Sequence, residues 1–320
     1  MPTHLSTVDA SRRAFLRTAG LLSGAMALRG IPDGLLYAQA NAVDARRAQT
    51  AAAAIETTKL TDRLSLLAGP GGNVLVLHGP DGKILVDGFV RPAWPKLKAA
   101  LDAISAAPIK SLIDTHWHFD HADNNGNARA AGAGVIAHEN TKLRLTQAHD
   151  LLGMHFDPAP PTELPTQTFT SGLSVNANGE QLRLTHVPPA HTDTDIFVHF
   201  RGANVLHMGD VFFNGMYPFI DTATGGGIDG VIGAVEIALK EITATTKIVP
   251  GHGPLATRGS LEAYAHMLAT VRDRVRSAKR AGRSLAQVQA STPTADFDEN
   301  WGKGFMSAAD FLTIVYNTTR

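Results

Sequence analysis

The hexapeptide His116-Trp117-His118-Phe119-Asp120-His121 sets three imidazoles and one carboxylate in consecutive reach of each other. Both groups are ligands for first-row metal ions. So dense a cluster fits no apolar core, and protonated imidazoles this close would repel one another. The cluster follows the apolar run Ile109–Ile113 directly, through Asp114 and Thr115. Three further candidates also sit just past apolar runs. His191 follows the run ending at His186, Asp210 closes His207-Met208-Gly209-Asp210, and His252 lies in Val249-Pro250-Gly251-His252-Gly253. Residues carried on loops at one sheet edge are how α/β scaffolds build sites. Gly or Pro beside each lets the backbone turn tightly and approach.

The elements that must position them can be read from spacing. Asn73–His78 and Lys83–Val86 flank the turn Gly79-Pro80-Asp81-Gly82, the pattern of a hairpin. Pro95–Ala106 has helical spacing, with Leu97, Leu101 and Ile104 on one face. Short strands are expected at Ile109–Ile113 and Val135–Ala137, and helices at Asn127–Ala131 and Thr141–Ala148. A second hairpin, Leu173–Val175 with Gln181–His186, turns at Asn176–Gly179. Strands at Ile196–Phe200, Val205–Met208 and Lys247–Val249 alternate with helices at Gly227–Ile242 and Ser260–Lys279. This rhythm is that of an α/β layer protein made of two similar halves. The proline-rich stretch Asp157–Pro165 reads as a stiff loop, either a lid beside the site or a plain connector.

In this order, His116-x-His118-x-Asp120-His121, His191, Asp210 and His252 resemble the ligand series of the metallo-β-lactamase superfamily. The resemblance runs from the Asn73–Asp87 hairpin to Gly251-His252-Gly253. It implies an αββα sandwich, two mixed sheets flanked by helices, and a site for two Zn²⁺ ions. His116, His118 and His191 would hold the first metal, and Asp120, His121 and His252 the second. Asp210 would bridge them, as in hydrolases similar to glyoxalase II, and Asp120 would orient the nucleophile and shuttle a proton. The best-known β-lactamases of this fold do not use an aspartate where this chain has Asp210, which weakens the case for a β-lactam as natural substrate. An all-nitrogen-and-oxygen site suits zinc and also admits iron or manganese. The implied activity is hydrolysis of a carbonyl-type bond in a lactam, lactone, ester or thioester by a metal-bound hydroxide. Rival readings are phosphodiester or sulfate-ester hydrolysis, a redox or accessory role in a periplasmic quinoprotein system, and metal binding without catalysis. The motif loops hold no clustered Arg or Lys for a phosphate, Arg129 being nearest in sequence.

Several residues near the motifs admit two readings. His207, His186 and His199 occupy strand positions and read as core histidines. His138 is either a residue that orients a ligand or a structural one, and Asp87 either supports the His-rich loop or merely closes a turn. Asn214, Met216, Tyr217 and Phe219 either line a substrate pocket or pack, and Gly225-Gly226-Gly227 reads as a flexible turn.

The remaining composition narrows the partners. With 320 residues and 44% hydrophobic content the chain can bury a large core. Basic and acidic residues balance at 29 each, so nothing favours nucleic acid as a partner. There is no Cys, which excludes disulfides, thiolate ligands and a lipoprotein anchor. Ser11-Arg12-Arg13-Ala14-Phe15-Leu16, the apolar stretch Ala19–Leu28 and Ala38-Gln39-Ala40 together resemble a twin-arginine export signal with its cleavage site. The apolar stretch is too short for a good transmembrane span. The expected organisation is therefore a signal peptide over 1–40 and one catalytic domain over 41–320. Such a protein would reach the periplasm or the outside without a stable membrane anchor, touching the export machinery only in transit and acting on a small molecule.

Overall fold

Two hairpin turns from different sheets grip one another and set the architecture. Asn178 and Gly179 take left-handed conformations (φ +55° and +76°), the pairing a tight antiparallel hairpin demands. The Asn178 side chain accepts from the backbone N–H of Asp81 at 2.9 Å and donates to the carbonyl of Gly82 at 2.9 Å. Asp81 answers by accepting from the N–H of Asn178 at 2.6 Å. The expected first and second hairpins are thus both present, and their tips are stitched together.

The computed structural model describes residues 33–320, with side chains from residue 42 onward. The twin-arginine motif and the Ala19–Leu28 stretch lie outside the described residues. Ala38-Gln39-Ala40 falls within a helix over Asp33–Ala51. Among the described residues no helix is long and apolar enough to cross a membrane.

The first sheet has seven strands in the order β1 (Glu56–Lys59), β2 (Leu64–Gly69), β3 (Gly72–Leu77), β4 (Lys83–Val86), β5 (Ile109–Ile113), β6 (Gly134–His138) and β9 (Gln167–Phe169). Its first half is antiparallel and its second half, from β4 onward, is parallel. Between β6 and β9 the chain makes a separate hairpin, β7 (His149–Leu151) and β8 (Met154–Phe156). The second sheet has five strands, β10 (Gly172–Ala177), β11 (Glu180–His186), β12 (Ile196–Phe200), β13 (Val205–His207) and β14 (Lys247–Val249). It too is mixed, since β14 joins β13 in parallel.

The two sheets face each other across a dry interior. Leu66, Leu75, Val86 and Ile113 of the first meet Leu184, Ile196, Val198 and Phe200 of the second. The outer face of the first sheet is covered by a helix over Trp94–Ile104, through Leu97 and Leu101. The outer face of the second is covered by helices over Ile228–Glu241, Arg258–Arg280 and Ala308–Thr318. This is the expected αββα layering. Strands β1 and β2, the β7–β8 hairpin and the helix Ala308–Thr318 are elements that spacing alone did not announce.

One buried charge has a structural task. Lys83 in β4 is 2% exposed, and its ammonium donates to the carbonyls of Leu101 at 3.2 Å and Ser105 at 2.6 Å. It thereby satisfies the end of the Trp94–Ile104 helix, where carbonyls lack intrahelical partners. Lys83→Ala should lower unfolding free energy by about 2–4 kcal/mol, read from urea denaturation, because it opens a cavity and takes the donor from the Ser105 carbonyl.

Candidate metal centre

Every candidate ligand sits where a strand gives out. His116 follows β5, His118 precedes the short helix Phe119–Ala122, and that helix carries Asp120 and His121. His191 lies between β11 and β12, Asp210 in the turn Gly209–Val211 after β13, and His252 just past β14. All of these strands end at the same edge of the sandwich. The structure accordingly brings the seven residues together in two groups, His116, His118, His191 and Asp210, and Asp120, His121 and His252.

Close approach requires glycine. A Cβ on Gly251 would fall on Oδ1 of Asp210, and one on Gly209 (φ +52°) would crowd Thr115. The backbone N–H of Gly251 donates to Gly209 at 2.7 Å, so the two turns carrying Asp210 and His252 are tied directly.

Asp210 is the common member. Its Oδ2 lies 3.8 Å from Nε2 of His116, 3.6 Å from that of His191 and 3.3 Å from that of His252. Its Oδ1 lies 3.2 Å from Nε2 of His121. Asp120 reaches the second group, with Oδ2 3.5 Å from His252 and Oδ1 3.9 Å from His121.

The far nitrogens of the rings fix which nitrogens face inward. His121 Nδ1 donates to Asp87 at 2.7 Å, and His191 Nδ1 donates to the carbonyl of Phe219 at 2.8 Å. His118 Nε2 donates to Asp221 at 3.3 Å. Thr115 gives its hydroxyl proton to Asp87 at 2.9 Å, so it must accept from His116 Nδ1 at 3.0 Å. When neutral, each of these rings thus turns a lone pair toward the cluster. Nε2 of His116, Nε2 of His121 and Oδ1 of Asp210 are buried without a hydrogen-bond partner. His191 Nε2 and His118 Nδ1 stand 2.9 Å apart, within hydrogen-bond distance of each other. Such an array of lone pairs needs cations, and it fits a metal centre whose outer contacts are already in place.

The electrostatics agree. Burial, reinforced by its imidazole neighbours, holds His116 well below the ordinary histidine range, and burial pushes His191 down to about 3. Burial opposes charge on His121 and His252 as well, but Asp210 and Asp120 outweigh it and raise both. Asp210 is lowered well below the carboxylate range because His252, His121 and His116 overcome its burial.

Supporting residues sort cleanly. Asp87, fully buried at φ +66°, combines both roles considered for it, closing a turn and holding His121 and Thr115. His207 is a core histidine, bonded to the carbonyl of Asn73 and accepting from Gly209. His138 does not orient a ligand. Its ring bonds Thr170 and Asn140 and stacks on His186 at 3.7 Å. Tyr217 is core, with its hydroxyl donating to Asp298 at 2.8 Å, and Asn214 bonds the carbonyl of Pro254, whereas Phe219 does line the pocket. Gly225–Gly227 is a tight turn. It brings Asp221 and Thr224 against His118, and a Cβ on Gly226 would strike the carbonyl of His191. Asp221 had no motif or spacing to mark it.

The pocket above the cluster holds about 50 Å³ and is walled by Phe119, Leu151, Leu152, Phe219 and Phe305, with Arg46 and Thr50 from the Asp33–Ala51 helix. The hairpin β7–β8, not the proline-rich loop, therefore borders the site. Asp157–Pro160 instead lines a neighbouring cleft of about 300 Å³ with Arg47, Trp117 and Arg144. Arg129 donates to the carbonyl of Pro161 and lines neither space.

A profile described as metallo-beta-lactamase superfamily matches residues 68–252. Among curated proteins, the chain is 27% identical over 188 residues to an atrochrysone carboxyl ACP thioesterase of Aspergillus fumigatus, covering 57% of this chain and 51% of that protein. It is 25% identical over 145 residues to a 2,4-dinitroanisole O-demethylase subunit alpha of Nocardioides sp., covering 44% and 41%. The chain thus spans about half or less of the length of these relatives. Among solved structures, a metallo-beta-lactamase from Pontibacter korlensis superposes with TM-score 0.59 at 18% identity, covering 67% of this chain and 99% of that one. The stereoselective inverting sec-alkylsulfatase Pisa1 from Pseudomonas sp. gives TM-score 0.63 at 14% identity, covering 85% and 51%.

Two outcomes follow from the contacts of the cluster. Zinc binds neutral imidazole, and the carboxylates of Asp210 and Asp120 favour the protonated forms of His121 and His252 in the metal-free protein. Zinc uptake at pH 7 should therefore release protons into a weakly buffered indicator dye, and affinity should fall as pH drops. Absence of proton release would contradict the assignment. Asp87→Ala should weaken zinc binding by about 10–100-fold, measured by chelator competition, with little change in the far-ultraviolet circular dichroism.

Proposed function

This chain belongs to the metallo-beta-lactamase superfamily, and from that premise we propose that it is a binuclear zinc hydrolase acting on a lactam, lactone, ester or thioester. The observation that carries the reading is the placing of Asp210, whose two oxygens face imidazoles of both groups. His116, His118 and His191 would hold one metal and Asp120, His121 and His252 the other, with Asp210 between them. When bound, the metals supply a water of lowered pKa and polarise the scissile carbonyl. Asp120, 18% exposed at the pocket floor, orients the attacking oxygen and passes a proton to the leaving group. Phe119, Phe219 and Phe305 exclude bulk water and receive the apolar part of the substrate. Asp87, Thr115 and Asp221 hold the ligand rings so that little reorganisation accompanies the reaction.

The names of the relatives support carbonyl chemistry in one case, the thioesterase. Nitrogen and oxygen ligands leave iron or manganese open as the metal. Export by the twin-arginine route is part of the proposal, and cleavage after Ala40 would leave Val43, Arg46, Arg47 and Thr50 in the mature protein.

Elemental analysis beside a panel of β-lactam, lactone, thioester, phosphodiester and sulfate-ester substrates tests the reading. Two zinc ions and turnover of a carbonyl substrate are expected, with Asp120→Ala lowering kcat by about 10³-fold. Iron without turnover of any carbonyl substrate, or turnover of sulfate or phosphate esters alone, would overturn it. Arg12→Lys together with Arg13→Lys should leave the protein in the cytoplasm, as read by fractionation.

A further inference from the structure

One buried carboxylate beside the cluster has no part in the proposed chemistry. Asp195 lies immediately before β12, at the end of the loop that carries His191. Its Oδ2 accepts the backbone N–H groups of His191 at 2.7 Å and Thr192 at 2.9 Å. Its Oδ1 accepts the Thr192 hydroxyl at 2.5 Å. Three donors converging on one carboxylate fix the shape of this loop, because a buried donor without an acceptor is costly.

The Thr192 proton is thereby committed, and the contacts beyond it acquire a direction. Thr192 Oγ1 must accept from the Thr194 hydroxyl at 2.8 Å, as it does from the Thr194 N–H at 3.0 Å. Thr194 Oγ1 in turn accepts the backbone N–H of Trp117 at 3.2 Å. Trp117 stands between His116 and His118. A single file of donors therefore starts at the backbone between two members of the first group. It passes through two hydroxyls and ends on a carboxylate that grips the backbone of the third member. Thr192 and Thr194 are fully buried, where aligned hydrogen bonds strengthen one another.

The relay is confined to one side of the centre. Among the described residues, the side chains of Thr192, Thr194 and Asp195 bond none of Asp120, His121 and His252. They line neither the pocket above the cluster nor the neighbouring cleft. A separate backbone bond, from the Ile196 N–H to the Thr115 carbonyl at 2.9 Å, joins the two loops without them. We infer that Thr194, Thr192 and Asp195 set the spacing between the His116–His118 loop and the His191 loop, and with it the affinity of the first metal group alone. All three are positioning residues that act through the ligands. The inference rests on the two-group reading of the cluster.

Full-length proteins reduced to one group separate the two sides. His252→Ala leaves the first group complete, and His116→Ala leaves the second. Zinc affinity in each is measured by chelator competition. Adding Thr194→Val should weaken zinc binding about tenfold in the His252→Ala protein and leave it unchanged in the His116→Ala protein. Thr194→Ser keeps the hydroxyl and should restore the affinity. Thr192→Val cuts the next link and should show the same one-sided loss, so the result does not hang on one variant. Equal losses in both one-group proteins, or no loss in the His252→Ala protein, would overturn the inference. Because affinity is read instead of turnover, a one-sided loss in a protein that hydrolyses no ester would sink the hydrolase reading and leave the relay standing.

Discussion

A single buried carboxylate, Asp87, governs the arrangement of the whole centre. It takes protons from the Thr115 backbone, the Thr115 hydroxyl and His121 Nδ1. Through Thr115 it also sets the tautomer of His116, so one side chain aligns rings belonging to both groups of ligands. The left-handed backbone at Asp87 and Phe89 costs about 1–2 kcal/mol per residue, a strain held by the surrounding core. Without that anchor the loop from Asp114 to His118 would have no reason to present its nitrogens inward.

Around this anchor the fold does little more than end strands in the right place. Mixed sheets give several strands a common terminal edge, and glycines let the turns after β13 and β14 approach until Asp210 and the Cα of Gly251 share one small space. The sequence pattern of apolar run, turn residue, ligand is the one-dimensional trace of that edge. The charge pattern follows from it. Carboxylates and imidazoles forced into one dry volume divide into rings held neutral, such as His116 and His191, and rings pushed toward protonation, such as His121 and His252.

Much of this was legible in the chain. The spacing of His and Asp past apolar runs exposed all seven clustered residues, and both hairpins showed because turn chemistry is local. What escaped had no local signature. Asp221 supports His118 from 103 residues away. Asn73 links β3 to the turn of His252 by donating to Pro250 and Gly253, contacts that only the packed sandwich creates. The proline-rich loop read as either a lid or a connector because stiffness suits both, and it is the hairpin β7–β8 that borders the pocket. Its strands of three residues are too short to show a period.

The Asp33–Ala51 helix shows how labour is divided along this chain. The clustered side chains and their supports lie between Asp87 and His252, whereas one wall of the pocket above them lies before Ala51, and the Arg47–Asp123 ion pair joins the two. Arg46 and Thr50 line the pocket without belonging to the cluster. The lining of the pocket can therefore vary through a peripheral helix while the clustered residues stay as they are.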